Sequence, residues 1–295
     1  MRLDRFLTLY LFHRLRRIIP RPNGIRIPIL MYHSISGEPE SSHPYFWINT
    51  SPKRFAGHMQ FLHNNNYKVI SLPDAVRIIK SATNHPITQS PYPPIKYVVL
   101  TFDDGFYDFF THAWPILTEF GFTATMFLPT AFIANSRKSF KGRECLTWSE
   151  VRQLHNNYGI SFGSHTVNHA KLYDLPWREI RQELCDSRLQ LEDNLQAPVC
   201  SFAYPYAFPQ EDRGFVEHFR KVLHDQGYCV AVTSVIGRMR PGGDPLYLKR
   251  LPVNGCDDER LLESKIGGAY DWMASAQKAV RRFKFSLDGN SDRES

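Results

Sequence analysis

The chain predicts an α/β fold built on a parallel sheet, and three observations carry that reading. Short β-rich runs alternate with amphipathic stretches from Ile27 onward. Several of those stretches open with helix-start residues. The two most polar motifs each follow an apolar run, where the loops at the carboxyl edge of a parallel sheet begin.

In order along the chain, strands are expected at 27–32, 68–71, 97–102, 123–128, 160–163, 199–204, 229–233 and 247–251. Each is a short apolar or β-branched run, the signature of a strand buried on both faces. Helices are expected at 52–65, 73–80, 109–119, 148–157, 177–194, 212–225 and 269–283, with Ser51-Pro52 and Leu72-Pro73-Asp74 as start signals. This many strand–helix units imply a closed barrel or a doubly wound sheet. Residues 82–94 mix Pro with Ser, Thr and Asn and read as an exposed loop. Residues 130–145, with Arg137, Lys138, Lys141 and Arg143, read as a polar, basic loop. The expected organisation is a basic amphipathic segment at 1–26, one α/β domain at 27–285 and a disordered tail at 286–295.

An apolar fraction of 42% and an aromatic fraction of 14% are ample for a packed core. The net charge is +7, but residues 1–26 hold seven Arg and one Asp, so six of those charges lie there. The remainder is close to neutral, which excludes a globally basic nucleic-acid binder. Leu3, Phe6, Leu7, Tyr10, Leu11, Leu15, Ile18 and Ile19 recur at helical spacing, with Arg2, Arg5, Arg16 and Arg17 largely off that face. Residues 1–20 therefore suit a short helix at an anionic membrane surface, with packing on the domain or a partner as the alternative. The apolar run is far too short to span a bilayer. A secretory leader is conceivable from the Arg flank, although no small-residue cleavage site follows. Five scattered cysteines without C-x-x-C pairing argue against a disulfide scaffold and a thiolate zinc site. The expected location is the cytoplasm, at the inner face of the membrane. Cys185 and Cys229 read as core-facing.

The chemistry concentrates in two motifs. In Thr101-Phe102-Asp103-Asp104-Gly105, two adjacent carboxylates end an apolar run. Buried carboxylates are costly unless a cation or several donors meet them. One can bind a metal while the other serves as a base; helix capping is the plainer role for a single Asp there. In Ser164-His165-Thr166-Val167-Asn168-His169, two imidazoles stand at i, i+4 after another apolar strand. That spacing presents two nitrogens on one side, as a divalent metal requires. Thr166 and Asn168 are placed to orient the rings by hydrogen bonds.

These motifs, with Phe202-Ala203-Tyr204-Pro205-Tyr206, occur in the order and spacing of the polysaccharide deacetylases, carbohydrate esterase family 4, which share the NodB-homology domain. Pro28-Ile29-Leu30-Met31-Tyr32-His33-Ser34-Ile35 resembles the branch with an early Tyr-His strand, as do residues 55–72 and Ile266-Gly267-Gly268-Ala269-Tyr270-Asp271. The resemblance covers roughly 27–283. It implies a distorted (β/α) barrel of about seven strands and a hydrolase that removes N-acetyl groups from an acetylated amino sugar in a glycan. By the same resemblance, Asp104, His165 and His169 would bind a divalent metal, zinc first, with cobalt, nickel, manganese or iron compatible. Asp103 would be the general base, and the Tyr206 backbone N–H an oxyanion donor.

Two departures stand out. The family's late His in an L-x-H motif is missing, and the resemblance places His33 as general acid; a turn-stabilising role is its competitor. The Arg usually found before x-Pro-Tyr is Ala203, so Arg250 is the candidate to orient the catalytic Asp from another strand, against an ordinary surface ion pair. Tyr204, Pro205 and Trp148 are candidates to line the sugar pocket, with core packing the alternative for the aromatics. The loop bases could contact an acidic or phosphorylated carrier. The rival functions are hydrolysis of another non-peptide amide on the same fold and non-catalytic carbohydrate binding. Retention of Asp103, Asp104, His165 and His169 together speaks against the second.

Overall fold

A computed structural model describes residues 2–18, 24–38, 40, 47–84 and 95–287. Eight parallel strands appear where apolar runs predicted them: β1 Ile29–Tyr32, β2 Tyr67–Val69, β3 Lys96–Phe102, β4 Thr125–Leu128, β7 Ser161–Ser164, β8 Ser201–Ala203, β9 Val230–Ile236 and β10 Leu248–Pro252. A small antiparallel hairpin, β5 Ser139–Phe140 and β6 Arg143–Glu144, interrupts the loop expected at 130–145. The order β1-β10-β9-β8-β7-β4-β3 closes through direct pairing of β1 with β3, giving a seven-stranded barrel. The eighth strand, β2, pairs with the first half of β3, leaving the second half to β1. That shared strand is the distortion.

Closure is visible in the packing. Ile29, Val99, Phe127, Ala203, Val232 and Leu248 come from six strands yet form one buried cluster, which the inside of a barrel brings together. Their neighbours in sequence, such as Leu30, Leu100, Met126 and Phe202, turn outward beneath the helices. Gly163 lies where a Cβ would stand 2.6 Å from the Phe127 ring, so β7 needs glycine for close packing.

The helices obey local rules. In α3, Pro52–Asn64, Ser51 accepts the Arg54 N–H and Pro52 occupies the first turn. In α6, Trp148–Tyr158, Thr147 and Glu150 cap each other, and Gly159 (φ +62°) ends the helix. The helices α4 Leu72–Asn84, α5 Trp114–Glu119, α7 Trp177–Leu195 and α8 Arg213–Asp225 complete the units between strands. Sequence reading missed α9, Glu259–Gly267, although Asp258 caps it by accepting the Leu261 N–H. The last helix, α10 Trp272–Leu287, starts later and runs past the expected domain end. Residues 288–295, and 85–94 of the Pro-rich loop, lie outside the described residues. Cys229 is exposed and Cys185 half-buried, so neither fills the core as expected.

A buried polar chain braces the carboxyl rim. The Tyr32 hydroxyl meets His58 Nδ1 at 3.0 Å, and His58 Nε2 donates to the Asp257 carbonyl at 2.6 Å. Burial pushes the His58 pKa down to about 4. The folded value lies below the unfolded one, so the unfolded chain takes the proton first as pH falls. This contribution is full above the unfolded pKa and is lost on acidification toward about 4. Urea unfolding at about pH 7 and pH 5.5 should therefore show a loss of stability about 1 kcal/mol smaller in His58→Gln than in the unaltered protein. Equal losses would mean that His58 is not held neutral.

Candidate active site

Register brings the chemistry to one rim. Tyr32 of β1 pairs with Phe102 of β3, so His33 and Asp103 leave the barrel side by side. Ser164 of β7 pairs with Phe202 of β8, which sets His165 beside Ala203. The resulting contact is an Nδ1–H of His165 donating to the Ala203 carbonyl at 2.7 Å. That bond fixes the ring and leaves Nε2 as its free lone pair.

Asp104 Oδ1 is approached by Nε2 of His169 at 3.1 Å and Nε2 of His165 at 3.7 Å. The three side chains are buried, and their ligand atoms lie within 4.8 Å of one another. Asp104 Oδ1 is itself buried without a hydrogen-bond partner, and two nitrogens converge on it. A buried carboxylate oxygen left in that state fits a cation among these three atoms. The Lys141 ammonium, from the turn of the β5–β6 hairpin, occupies the other oxygen, Oδ2, at 3.0 Å. Burial opposes ionisation of Asp104, but His169, His33 and Lys141 outweigh it and hold the carboxyl well below the usual range. Burial pushes the His165 pKa down to about 3, so its ring is neutral and able to ligate.

Asp103 stands apart from that cluster. Arg250 grips it with two parallel bonds, Nη1 to Oδ1 and Nη2 to Oδ2, each 2.7 Å. Both residues are almost fully buried. The Arg250 side chain is locked further by Nε donating to the Thr233 carbonyl (3.1 Å) and Nη1 to Thr101 Oγ1 (3.2 Å). Arg250 follows the inward-facing Leu248 by two residues in β10, so strand alternation carries its guanidinium into the barrel and across β1 to Asp103; beside it β9 bulges, pairing Val232 with Leu248 but Ile236 with Arg250. Burial would raise the Asp103 carboxyl, but Arg250 and His165 keep it below the ordinary value. His33 Nε2 lies 3.9 Å from Asp103 Oδ2, and burial lowers the His33 pKa against the pull of both aspartates.

The backbone is strained where these groups meet. Among the described residues, seven non-glycines have left-handed φ, and five cluster here: Asp104 (+74°), Lys141 (+50°), Thr166 (+68°), His169 (+52°) and Tyr206 (+58°). Each costs on the order of 1–3 kcal/mol, which persists where the surroundings impose it, as at ligand clamps. Gly105 follows at φ +66°, and a Cβ there would stand 2.6 Å from Leu128.

Several expectations need correcting. The two histidines are not one helical turn apart; they sit on a loop whose tight turns bring the rings to 4.8 Å. Thr166 and Asn168 do not orient the rings. Thr166 Oγ1 accepts the Ala170 N–H, and Asn168 binds Glu183, which also takes the N–H of Val167 and bridges the loop to α7. Tyr204 is not at a pocket: it shares the outward side of β8 with Phe202 and packs on Phe208 and Phe219. Trp148 is likewise buried at the start of α6, within the main core, and Pro205 is buried between the two tyrosines. Tyr206 is half-exposed, its ring 4.5 Å from that of His169, with the ammonium groups of Lys141 and Lys171 5.6 and 5.8 Å from its centre. Arg137 and Lys138 turn away, to Glu150 and the Ala131 carbonyl.

Sequence reading missed the support of His33. Asp108 accepts from the Ser34 hydroxyl and from the Ile35 N–H (3.0 Å), while Arg143 reaches Ser34 Oγ at 2.9 Å. The strand end carrying His33 is thereby tied to the hairpin carrying Lys141. No local motif announces this, since the partners lie 73 to 109 residues apart.

The sequence model of the polysaccharide deacetylases matches residues 91–230. A Bacillus subtilis protein named as a polysaccharide deacetylase, YxkH, is 29% identical over 212 residues, 72% of this chain and 66% of that protein. The poly-beta-1,6-N-acetyl-D-glucosamine N-deacetylase of Staphylococcus aureus is 20% identical over 223 residues, 73% of this chain and 71% of its own length. Among solved structures, the Streptococcus pyogenes deacetylase PplD in complex with acetate superposes with a TM-score of 0.64 at 25% identity. That superposition covers 83% of this chain and 99% of PplD. Likeness in sequence and likeness in backbone thus converge on one barrel, and the chain is similar to the polysaccharide deacetylases, hydrolases of carbon–nitrogen bonds outside peptides.

Proposed function

We propose that the protein removes the N-acetyl group from an acetylated amino sugar in a polysaccharide, oligosaccharide or lipid-linked glycan, with a divalent metal held by Asp104, His165 and His169. The observation that carries this reading is the unpartnered buried oxygen of Asp104 facing two imidazole nitrogens, with a second carboxylate alongside that is not consumed in the cluster. The name of the staphylococcal relative specifies such a substrate, and PplD was solved with acetate, the acid this reaction would release. Two nitrogens and one carboxylate suit zinc, and also cobalt, nickel, manganese or iron.

When bound, such a cation supplies Lewis acidity, lowering the pKa of water from about 15.7 toward 7 and polarising the acetyl carbonyl. The chain's own groups do the rest. Asp103, ionised by Arg250, takes a proton from the attacking water. His33 stands beside Asp103 to give a proton to the departing amine, without which an amide nitrogen leaves poorly. Water thus adds to the carbonyl carbon, the C–N bond breaks, and acetate and a free amine result. Tyr206 lies beside His169 at the open side, where its backbone N–H would meet the developing oxyanion and its ring a sugar face.

The test is acetate release from a panel of N-acetylated glycans. Chelation should abolish it, and zinc or cobalt should restore it. Asp104→Ala and His165→Ala should fall from about one bound metal per chain to nearly none, with turnover lost in parallel. Acetate release that survives both chelation and Asp104→Ala would overturn the reading.

A further inference from the structure

We propose that the outer face of the N-terminal helical segment is a docking surface for an anionic lipid bilayer. The segment comprises α1 Leu3–Phe6, a wider π-helical stretch Leu7–Phe12 and α2 His13–Ile18. Its inner face is fastened to the barrel. Asp4 accepts from Arg2 and from the Tyr270 hydroxyl, Thr8 Oγ1 accepts from Trp272 Nε1, Leu9 is buried, and Phe12 stacks on Trp272. Arg5 pairs with Asp258, and Arg16 donates to the Gly268 carbonyl. The helix is therefore positioned by specific contacts.

The opposite face is apolar and uncovered. Among the described residues ten large hydrophobic side chains are exposed, and six of them are Leu3, Phe6, Tyr10, Leu11, Leu15 and Ile18. Sixteen residues thus hold six of the ten exposed large hydrophobics among the described residues, a concentration that marks an interaction site. The charge that the segment itself exposes is positive, although Glu259 and Glu263 of α9 are exposed nearby. Arg14 is exposed, and the exposed Arg260 stands 5.7 Å from the Tyr10 ring. The segment's single carboxylate, Asp4, is buried and neutralised by Arg2. Apolar side chains with arginines at their margin match an anionic lipid surface, where the stripe enters the headgroup boundary and the guanidiniums meet phosphates.

Size argues against the main competitor, a second copy of the chain. At about 1.5 Å per residue and one helix wide, the stripe covers roughly 250 Å². A stable protein–protein interface buries about 800 Å² per partner. No helix among the described residues is long and apolar enough to cross a membrane, so the contact would be peripheral. The stripe begins at the catalytic rim, where Arg2 donates to Asn254 in the loop after β10 (3.4 Å), and runs to the far end of α9 at Gly268. A bilayer along this side lies beside the mouth of the barrel and would hold it near membrane-attached glycans. The docking itself does not depend on the proposed reaction.

Co-sedimentation of the full chain with vesicles tests this. Vesicles of mixed phosphatidylglycerol and phosphatidylcholine should bind the protein, and phosphatidylcholine alone should bind it weakly. The double substitution Leu11→Ser with Ile18→Ser, both at exposed positions, should weaken partition at least about tenfold. Its melting temperature should be unchanged, which separates lost docking from lost fold. Background binding to anionic vesicles, or equal binding by the double variant, would overturn the proposal. So would a concentration-dependent dimer in sedimentation velocity that the same substitutions abolish, because the stripe would then belong to a second copy.

Discussion

Asp103→Asn is expected to lower kcat by a factor of about 10² to 10⁴, the usual contribution of a positioned general base, while one metal still binds. The substitution keeps the shape of the side chain and leaves Asp104, His165 and His169 untouched. It removes the lone negative charge able to accept a proton beside the cation. It also leaves the Arg250 guanidinium buried, facing a neutral amide in place of two carboxylate oxygens. A fall in melting temperature should therefore accompany the loss of turnover, and metal titration distinguishes this from collapse of the site. Ordinary turnover in Asp103→Asn would remove Asp103 from the role of base and shift attention to His33, 3.9 Å away.

This assignment has a chemical tension that the structure helps to resolve. Arg250 depresses the pKa of Asp103, and a carboxylate of low pKa is a weak base. Proton transfer to it becomes feasible only if the water is acidified at the same place. The proposed ligand set would provide for that: Asp104 lies one residue on with a left-handed backbone, and its carboxylate meets the imidazoles while Asp103 faces Arg250. Two adjacent aspartates thus have different partners, and the proposed reaction would give them different duties. A lone carboxylate could not both hold a cation and remain free to take a proton.

How far the sequence reveals this arrangement depends on the range of the interaction. The strands are legible because each is an apolar run, and the two motifs are legible because polar groups at the ends of such runs are expensive to bury. Closure of the barrel, which the family resemblance implied, is not legible in the apolar runs themselves, since the pairing of Ile29 with Val99 joins segments seventy residues apart. Nor is the side to which an aromatic turns. Tyr204 looked like a pocket residue beside Pro205 and Tyr206, yet strand alternation sets it with Phe202 under the helices. Lys141 was one base among four in a polar loop; only the hairpin that lifts it to Asp104 distinguishes it from Lys138. The N-terminal segment left two readings open because its helix has two occupied faces. One carries Asp4, Thr8 and Leu9 onto the barrel, and the other carries Tyr10, Leu11 and Ile18 outward.

Arg250→Ala should have the largest effect on stability, a loss of about 3–5 kcal/mol, because it leaves one partner of a buried ion pair without the other. The Thr233 carbonyl and Thr101 hydroxyl lose their donors at the same time. Stability alone would not separate a positioning role from a structural one, so the pH–rate profile is the sharper measurement. With the guanidinium gone, burial is the dominant influence left on Asp103 and pushes its carboxyl upward. The protonated, inactive form should then persist to higher pH, and the acid limb of kcat/KM should move in that direction. Arg250→Lys restores a charge without the two parallel bonds, so it should recover part of the acid-limb shift and less of the rate. An unmoved acid limb in Arg250→Ala, with turnover reduced only in proportion to the folded fraction, would make the residue a strut of the barrel. In that case the ionisation of Asp103 would have to be maintained by His165, His33 and the cation instead.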